Sequence, residues 1–374
     1  MNFSFTPEQD QLRATLGAYL RETHGFAARQ AVVASPDGRN ARMWRDLAER
    51  LGVLSLAGPA APDPTDILVV MEEFGAALVT EPFLETAVMA ATLLRSIGGP
   101  RAEALLAGIV AGRQIVALAS SEPGVRHCWQ PAATKARPHN GGWRIDGAKS
   151  MVVAAPWAGT LLVSAATPQG TSLFVVDPAA AGVTLHPYRT IDGRRAADIR
   201  FDGVEVGAHD LLGREGGALT FIEAAGDAAI AAVCAEALGV LRRILDDTIG
   251  YTRVRQQFGQ PLAGFQALQH RMVDMFMKIE VATSATYLAT MKLDAPAQER
   301  ALAISGAKAL VGDACRFVGQ NGVQLHGGMG MTEELAVGHC FKRATVIEGM
   351  LGTSDDHVAR YMALADGQEA VPAG

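Results

Sequence analysis

The stretch Phe317–Ser354 reads FVGQNGVQLHGGMGMTEELAVGHCFKRATVIEGMLGTS and holds the most specific pattern in the chain. Its pattern predicts a helix, then the glycine cluster Gly327–Gly330, a second helix from about Leu335 and a closing turn at Gly352–Ser354. Glycine allows a backbone to approach a bulky anion closely, and the free amides at helix starts favour phosphate. The pattern therefore indicates a dinucleotide site built from helix ends, although glycine turns of this kind also end ordinary helices.

The hydrophobic period changes twice along the chain, which predicts three regions. Residues 1–115 have a helical period and begin with a capping box at Thr6–Gln9. Residues 116–216 alternate with a period of two and contain a hairpin pattern at Asn140–Gly142, so we expect a β-barrel or sandwich. Residues 217–374 are helical again, and their long apolar helices predict a four-helix bundle.

The individual elements are predicted from the same periods. The predicted helices cover residues 7–22, 43–50, 67–78, 84–97, 102–111, 218–255, 266–292, 298–322 and 354–365. The predicted strands are IVALAS, TKARP, GWRID, MVVAA, TLLVSAA, SLFVVD, VTLHPYR and ADIRFDGVEV. In this prediction GWRID and MVVAA are separate strands.

The composition excludes several classes of function. The 374 residues are 49% hydrophobic and 19% charged, which is typical of a globular chain that is too long for one core. A net charge of −6 gives no reason to expect a nucleic acid or an anionic membrane surface as a partner. No run approaches the roughly 20 unbroken apolar residues of a membrane span. The N-terminus lacks the pattern of a secretory signal.

The cysteines give an expectation about the compartment. They are scattered along the chain without paired or metal-ligand spacing, at Cys128, Cys234, Cys315 and Cys340. This arrangement predicts reduced thiols in a cytoplasmic protein and no metal site.

Further segments make the pattern specific. Tyr251–Gly259 reads YTRVRQQFG, Phe265–Arg271 reads FQALQHR, and Ala119–Gly124 reads ASSEPG. Together with QLHGGMG they resemble the acyl-CoA dehydrogenase family of FAD flavoproteins over nearly the whole chain. The resemblance implies an N-terminal all-α domain, a middle β-barrel or sandwich domain and a C-terminal four-helix bundle. It also implies α,β-dehydrogenation of an acyl-CoA thioester, with electron-transfer flavoprotein as the acceptor.

The resemblance places one set of FAD contacts in the middle region. Ser121 stands where the family has a threonine whose hydroxyl bonds the isoalloxazine ring, and serine has the same donor and acceptor. After Gly147–Lys149, Met151 stands at a tryptophan position of the family and Val153 at a threonine position. Because valine cannot donate a hydrogen bond, the contact at Val153 is expected to come from the backbone alone.

A second set of implied FAD contacts lies in the last region. There, an arginine of the family reaches the FAD phosphates of the neighbouring subunit, and the arginine fork of donors suits phosphate. The matching positions are Arg255, Gln257, Phe258, Gln324, Gly327 and Gly328, with Thr353 and Asp355 on the adenosine side. The resemblance therefore implies a dimer-based assembly, such as a tetramer, with FAD at a subunit interface.

The catalytic base is where the sequence departs most from the family. The resemblance implies a carboxylate that removes the α-proton while the β-hydrogen leaves as hydride. The two positions that hold this glutamate in different branches correspond to Leu351 and Ala229, and neither side chain can accept a proton. The carboxylates that remain as candidates nearby are Asp227, Glu348 and Glu236.

Three hypotheses account for the missing base. In the first, the chain is an FAD-dependent acyl-CoA dehydrogenase subunit that is active either with a related partner, which supplies the base, or through an unusual carboxylate of its own. The segments EPFLETAV and QLHGGMGMTEELAVGH support it, because they resemble the small subunits of bacterial heterotetrameric acyl-CoA dehydrogenases. The resemblance associates this type with dicarboxylyl-CoA and steroid side-chain thioesters. In the second hypothesis the chain is a non-catalytic scaffold, and in the third it is a flavin-dependent oxidase or monooxygenase on the same fold.

Overall fold

The computed structural model describes residues 4–125, 129–131 and 133–366. Helices form the first part of the chain, strands the middle part and helices the last part. The fold class predicted from the two changes of hydrophobic period is therefore confirmed. Cys128 lies outside the described residues.

The elements have the following bounds. The helices are α1 Pro7–Thr23, α2 Phe26–Ala34, α3 Ala41–Glu49, α4 Pro64–Ala77, α5 Ala91–Ile97, α6 Pro100–Val110, α7 Leu219–Val254, α8 Gln266–Met291, α9 Ala297–His326, α10 Ala336–Gly349 and α11 Ser354–Ala365. The strands are β1 Val116–Ala119, β2 Lys135–His139, β3 Gly142–Val153, β4 Thr160–Thr167, β5 Gly170–Val176, β6 Val183–Arg189, β7 Arg195–Val206, β8 Leu211–Leu212, β9 Gln256–Gln257 and β10 Gln260–Pro261. A π-helix occupies Phe83–Ala90.

The chain divides into two compact units. The first unit contains residues 4–31, 64–79 and 230–366. The second unit contains the described parts of residues 32–63 and 80–229. The three domain boundaries predicted from the sequence remain a prediction.

In the first unit, α9 packs against α8, α10 and α11, and α1 packs against α4. Two glycines bring α4 and α7 close together. A Cβ added to Gly239 would lie 1.9 Å from the carbonyl oxygen of Glu72, and one added to Gly75 would lie 2.0 Å from that of Glu236. Only glycine allows a backbone approach of this kind, so these two positions fix the crossing of the two helices.

Buried ion pairs connect the helices of the first unit. Arg343 on α10 holds both carboxylate oxygens of Glu236 on α7, at 2.7 and 2.6 Å. Glu72 lies between Arg13 and Arg242, at 2.7 and 3.0 Å. Because removal of one partner would leave an uncompensated charge in the core, such pairs make the helix arrangement specific.

The length and composition of α7 are sufficient for a membrane span. However, 89% of its most apolar window is buried inside the protein. A helix that is apolar on all sides and buried is typical of a core helix. The apolar run of α7 is therefore explained by packing.

In the second unit, the described residues form an eight-stranded sheet with the order β6-β7-β3-β2-β4-β5-β8, and β1 pairs in parallel with β4. The pairs β3–β7, β6–β7 and β4–β5 are antiparallel. Buried and more exposed residues alternate along parts of β3 and β7, whereas β4 and β5 are almost completely buried. Trp143 packs edge-on against Phe174 with ring centroids 5.4 Å apart. The middle part of the chain is thus a sheet domain.

One strand is longer than the sequence predicted. GWRID and MVVAA belong to the single 12-residue strand β3. The pairing of β3 with β7 shifts register between Ile145 and Gly147 and again between Lys149 and Val152. Gly147 has φ +146°, and an added Cβ would lie 2.5 Å from Cα of Thr134. The glycine therefore lets the strand continue past a close neighbour, although the alternation of apolar residues is interrupted there.

The helical regions also differ from the prediction in three places. Helix α2 was not predicted, because it has no acidic residue in its first turn and no basic residue in its last turn. The predicted helix at 84–97 is the π-helix Phe83–Ala90 followed by α5. All residues of the π-helix are buried, so the sequence shows no face that would reveal its period. Helix α9 continues beyond the predicted end at Gly322 to His326.

Acid is expected to destabilise the protein through His24. Burial, assisted by the charge of Arg29, lowers the pKa of this imidazole from 6.5 to about 4. Between these two values the unfolded chain binds more protons than the folded chain, so stability falls as the pH falls. We expect the free energy of unfolding to decrease by about 3 kcal/mol from this residue between pH 6.5 and 4. Urea unfolding at a series of pH values measures this slope.

The control for this prediction is His24→Gln, which removes the titrating group. Its stability should depend on pH less steeply than that of the unchanged protein over the same interval. Equal slopes for the two proteins would show that His24 does not contribute.

Candidate active site

Two segments of the second unit meet at a buried ion pair. Lys149 on β3 is fully buried, and its Nζ donates to Oε1 of Glu122 at 2.9 Å. The same ammonium donates to the carbonyl oxygen of Ser120 at 3.2 Å and to Oγ of Ser164 at 3.1 Å. The ion pair therefore fixes the segment that contains Glu122 against β3.

Backbone amides complete the surroundings of the Glu122 carboxylate. Oε2 accepts from the amide of Ala133 at 2.6 Å, and Oε1 accepts from the amide of Thr134 at 3.0 Å. Burial alone would raise the pKa of Glu122, but the hydrogen bonds from Ala133 and Lys149 bring it to about 2. Burial lowers the pKa of Lys149 to about 8, while Glu122 acts in the opposite direction. Both groups are therefore charged at neutral pH.

The predicted flavin contacts Ser121 and Val153 lie on the two segments that this ion pair joins. Ser121 is exposed, and its carbonyl oxygen accepts a hydrogen bond from the amide of Ser150 at 2.9 Å. Val153 is half-buried at the end of β3. The structure thus holds the ASSEPG segment against β3 by a backbone hydrogen bond next to the ion pair.

Met151 projects from an irregular point of β3. Its φ is +53°, and its side chain is 54% exposed. Its amide donates to Oδ1 of Asp198 at 2.9 Å, and the hydroxyl of Tyr188 donates to the same oxygen at 3.1 Å. Irregular positions of this kind re-aim side chains and are common beside functional sites. Met151 is therefore an exposed side chain at an irregular point of the strand, at the position where the resemblance implies a tryptophan.

In the first unit, β9 and β10 form a short antiparallel hairpin after α7. The predicted contacts Arg255, Gln257 and Phe258 are all exposed there. Phe258 is 91% exposed with φ +54°, and it meets Phe265 edge-on at 6.1 Å. An exposed aromatic ring with a strained backbone is costly for an isolated chain, so this hairpin is typical of a surface that another molecule covers.

The glycines after α9 have open surroundings. Gly327 has φ +59°, whereas Gly328 has no positive φ. No described atom lies within 4 Å of a Cβ added to either residue. Gly328 is therefore required neither by its backbone conformation nor by packing within the described chain. Its missing side chain, together with the exposed side chain of Gln324, fits the close approach of a phosphate-bearing ligand such as FAD.

A cavity of about 430 Å³ opens beside this segment in the first unit. His326 stacks on Tyr251 with ring centroids 4.4 Å apart, and its Nδ1 donates to the carbonyl oxygen of Gly322 at 2.8 Å. The stacked pair holds the end of α9 just before Gly327. The cavity is lined by Phe26, Arg243, Asp246, Asp247, Gly250, Tyr251, His326, Glu334, Leu335, Ala336 and Val337.

The predicted adenosine-side contacts lie at the start of α11. Thr353 caps this helix: its hydroxyl accepts from the amide of Asp356 at 3.2 Å and donates to Oδ2 of Asp356 at 2.6 Å. Asp355 is exposed in the first turn. Because the hydroxyl of Thr353 serves the cap, a ligand contact here has to use its backbone or the Asp355 side chain.

Both base positions are apolar in the structure as well as in the sequence. Ala229 is fully buried on α7. Leu351 is half-buried in the turn that follows α10. Asp227, two residues before Ala229, is 3% exposed. Both positions that the resemblance assigns to the base therefore hold a hydrocarbon side chain in the structure.

The other two carboxylate candidates form hydrogen bonds or ion pairs within the first unit. Oε1 of Glu348 accepts from the amide of Ser354 at 3.3 Å and lies 3.7 Å from an Arg316 nitrogen. Glu236 is held at both oxygens by Arg343. These contacts indicate structural roles for both residues, and the identity of a base in this chain stays a prediction.

Sequence reasoning missed the roles of two buried lysines. The motifs include Lys149 only within Gly147–Lys149, and they give no role to Lys308 on α9. Both are fully buried, which is rare for lysine. The available indication was a single lysine beside or inside an apolar run, in GAKSMVVAA for Lys149 and in ALAISGAKALV for Lys308.

Comparison with protein families gives two matches. The acyl-CoA dehydrogenase middle domain matches residues 117–204, and the acyl-CoA dehydrogenase C-terminal domain matches residues 226–363. Together the two matches cover more than half of the 374 residues. They include the segments that carry the predicted FAD contacts.

Individual proteins agree with this result. The acyl-CoA dehydrogenase IpdE2 of Mycolicibacterium smegmatis is 29% identical over 362 residues, which cover 95% of this chain and 98% of that protein. A variant of the steroid ACAD Tcur3481-Tcur3483 has a TM-score of 0.85 and 28% identity, with 96% and 98% of the two chains covered. A glutaryl-CoA dehydrogenase from Mycobacterium smegmatis in complex with FADH2 shares the fold, with a TM-score of 0.87, 20% identity and coverage of 98% and 96%. The chain therefore belongs to the acyl-CoA dehydrogenase family, whose members are FAD-dependent oxidoreductases that act on CH–CH bonds.

Proposed function

We propose that the chain takes part in α,β-dehydrogenation of an acyl-CoA thioester with FAD, as one subunit of a hetero-oligomer whose related partner supplies the catalytic base. The observation that carries this proposal is a contrast within the chain. Several polar residues implied for FAD are present and exposed, among them Ser121, Arg255 and Gln324. By contrast, the two positions implied for the base hold Leu351 and Ala229. The name of the relative Tcur3481-Tcur3483 joins two chains, which supports an assembly of two related subunits.

The chain's own residues would bind and orient the cofactor, which supplies the hydride acceptor when it is bound. Arg255, which is exposed just before β9, offers a planar fork of donors for the pyrophosphate. Gly327 and Gly328 allow phosphate to approach the backbone. Ser121 offers one hydroxyl for the isoalloxazine ring.

An apolar stripe on α8 supports an oligomer. Large hydrophobic side chains recur along this helix with exposures from 40% to 57%, at Val273, Phe276, Met277, Val281, Leu288 and Met291. A contiguous apolar surface of this kind is unfavourable in water and is typical of a subunit interface. We propose that a subunit of the same fold covers it.

The acyl group and the electron acceptor are finer parts of the same proposal. The steroid ACAD among the relatives supports a steroid thioester as the first substrate class to test. The resemblance to small subunits adds steroid side-chain and dicarboxylyl thioesters to the same test. Electron-transfer flavoprotein is the proposed acceptor, since the family implies it. Comparing reduction of this flavoprotein with reduction of oxygen separates a dehydrogenase from the alternative oxidase or monooxygenase.

FAD binding is tested most directly at Gly328. Gly328→Val places a side chain in open space, so the thermal midpoint of the protein without FAD should stay unchanged. The same side chain should block approach of the phosphates, and we expect FAD affinity to fall by roughly 100-fold, the effect of about 2.7 kcal/mol. Titration of the FAD-free protein, followed by flavin fluorescence, measures the affinity.

The matched control is Gly25→Val in the same unit, because Gly25 is exposed and a Cβ there would have only one ordinary contact, at 3.9 Å. This variant should keep full FAD affinity. Unchanged affinity in Gly328→Val would remove this segment from the cofactor site. An unchanged protein that binds no FAD, alone or mixed with a related subunit, would favour the scaffold hypothesis.

A further inference from the structure

Leu351 has a backbone conformation that leucine rarely adopts. Its φ is +57°, in the left-handed region, and the next residue, Gly352, has φ +111°. Glycine or asparagine would suit position 351 better, because a larger side chain crowds the carbonyl oxygen in this conformation. Such strain persists only where the surrounding structure imposes it, and it is concentrated at functional positions.

Lys308 on α9 imposes the conformation from one side. Its Nζ donates to the carbonyl oxygen of Glu348 at 2.8 Å and to that of Gly352 at 2.6 Å. These two carbonyl groups flank Leu351, so one ammonium group fixes both sides of the turn. Lys308 is fully buried, and within the described chain its ammonium forms no ion pair with a carboxylate. Both hydrogen-bond acceptors are neutral carbonyl groups, and burial lowers the pKa of Lys308 although the charges of Glu348 and Asp356 partly compensate. Burial of the ammonium is therefore costly, and this arrangement needs a reason beyond packing.

His357 on α11 imposes the conformation from the other side. Its Nε2 donates to the carbonyl oxygen of Leu351 at 2.9 Å. A Cβ added to Gly352 would lie 2.5 Å from the same nitrogen, so only glycine fits beside the ring. Three carbonyl groups of one short turn, those of residues 348, 351 and 352, are therefore held by two side chains of neighbouring helices.

We propose that Lys308 is a positioning residue that clamps this turn and directs the side chain of residue 351, and that Leu351 is thereby presented as an apolar contact for the acyl group. The clamp follows from the contacts around the turn, and the acyl contact rests on the proposed function. A strained leucine is retained at a place where glycine would be easier to accommodate. The direction and the apolar character of this side chain therefore explain both the strain and the buried ammonium.

The clamp is tested by the order of stability of two variants at position 351. On a left-handed backbone, Leu351→Gly should melt above Leu351→Ala, by roughly 2–4 °C. On a relaxed backbone the order reverses, because alanine restricts the unfolded chain more than glycine does. In the unchanged background we therefore expect Leu351→Gly to have the higher melting temperature. In the Lys308→Met background we expect Leu351→Ala to have the higher one. Differential scanning calorimetry measures both pairs.

The clamp would be overturned if the two variants had the same order of melting temperatures in both backgrounds. It would also be overturned if Leu351→Ala melted above Leu351→Gly in the unchanged background. Should Lys308→Met not fold, His357→Gln provides a second background, since it weakens the hydrogen bond to Leu351 and leaves Lys308 in place. In that background we also expect the difference in melting temperature between Leu351→Gly and Leu351→Ala to decrease or to change sign. An unchanged difference in melting temperature would again overturn the proposal.

The acyl contact is tested by calorimetric titration of the FAD-loaded protein with butyryl-CoA and octanoyl-CoA. Leu351→Ala and Leu351→Gly should each weaken binding by roughly 10-fold, the effect of removing most of a buried leucine contact. Leu310→Ala is the matched control, because Leu310 is 45% exposed on α9, and it should bind normally. Unchanged affinity in both Leu351 variants would overturn the acyl contact. An unchanged protein that binds neither thioester would instead contradict the proposed function, while the melting order still decides the clamp.

Discussion

Lys149→Met is expected to reduce the free energy of unfolding by about 3–5 kcal/mol and to abolish binding of the flavin ring. The substitution removes the ammonium that pairs with Glu122 at 2.9 Å and leaves a carboxylate that is 4% exposed without its counter-charge. The same ammonium bonds Ser120, next to the predicted flavin contact Ser121. Loss of the ion pair should therefore loosen the ASSEPG segment from β3. Urea unfolding measures the stability, and flavin fluorescence measures the binding.

Two further variants separate charge from packing. Lys135→Met makes the same substitution at an exposed position of β2, so it should change the free energy of unfolding little. The double variant Lys149→Met with Glu122→Gln has no buried charge, and we expect it to recover much of the lost stability. A Lys149→Met protein as stable as the Lys135→Met control would show that the ion pair is not important for folding.

The fold was largely predictable because most of its helices and strands are indicated by residues that are close in sequence. The capping box at Thr6, the hairpin at Asn140–Gly142 and the long apolar helices each follow from neighbouring residues. Failures occurred where tertiary contacts decide the structure. The strand β3 continues through Gly147 because only glycine fits against Thr134 there, and the π-helix Phe83–Ala90 shows no period because all of it is buried.

The site was predictable only to the extent that motifs name its residues. The motifs name Ser121 and Gly328 as flavin contacts, which stay predictions, but they could not show that Lys149 and Glu122, 27 residues apart, form one ion pair. The contact between Lys308 and the turn at Gly352 spans 44 residues and has no counterpart in local sequence. The left-handed conformation of Leu351 is likewise imposed by distant side chains, and a leucine at that position gives no indication of it.

Purified alone, the chain is expected to be a poor dehydrogenase. General-base assistance is typically worth about 10²–10⁴-fold in rate, and both usual positions of the base are hydrocarbon side chains. Steady-state turnover of several acyl-CoA thioesters with an artificial electron acceptor measures this loss. Mixing with a related subunit that carries a glutamate before its Gly-Thr turn should restore turnover. Asp227→Asn and Glu348→Gln should leave the low rate of the isolated chain unchanged, whereas brisk turnover that Asp227→Asn abolishes would identify Asp227 as the base.

Leu351→Glu tests the same conclusion by adding the missing group. The turn already holds residue 351 in one direction, so a glutamate there should be presented without rearrangement of the backbone. We expect turnover of the isolated chain to rise by at least 10-fold, although desolvation of the new carboxylate will lower stability somewhat. Leu351→Gln has nearly the same shape but cannot accept the proton, so it should show no gain. Equal rates for the two variants would mean that a base at position 351 is not what the isolated chain lacks.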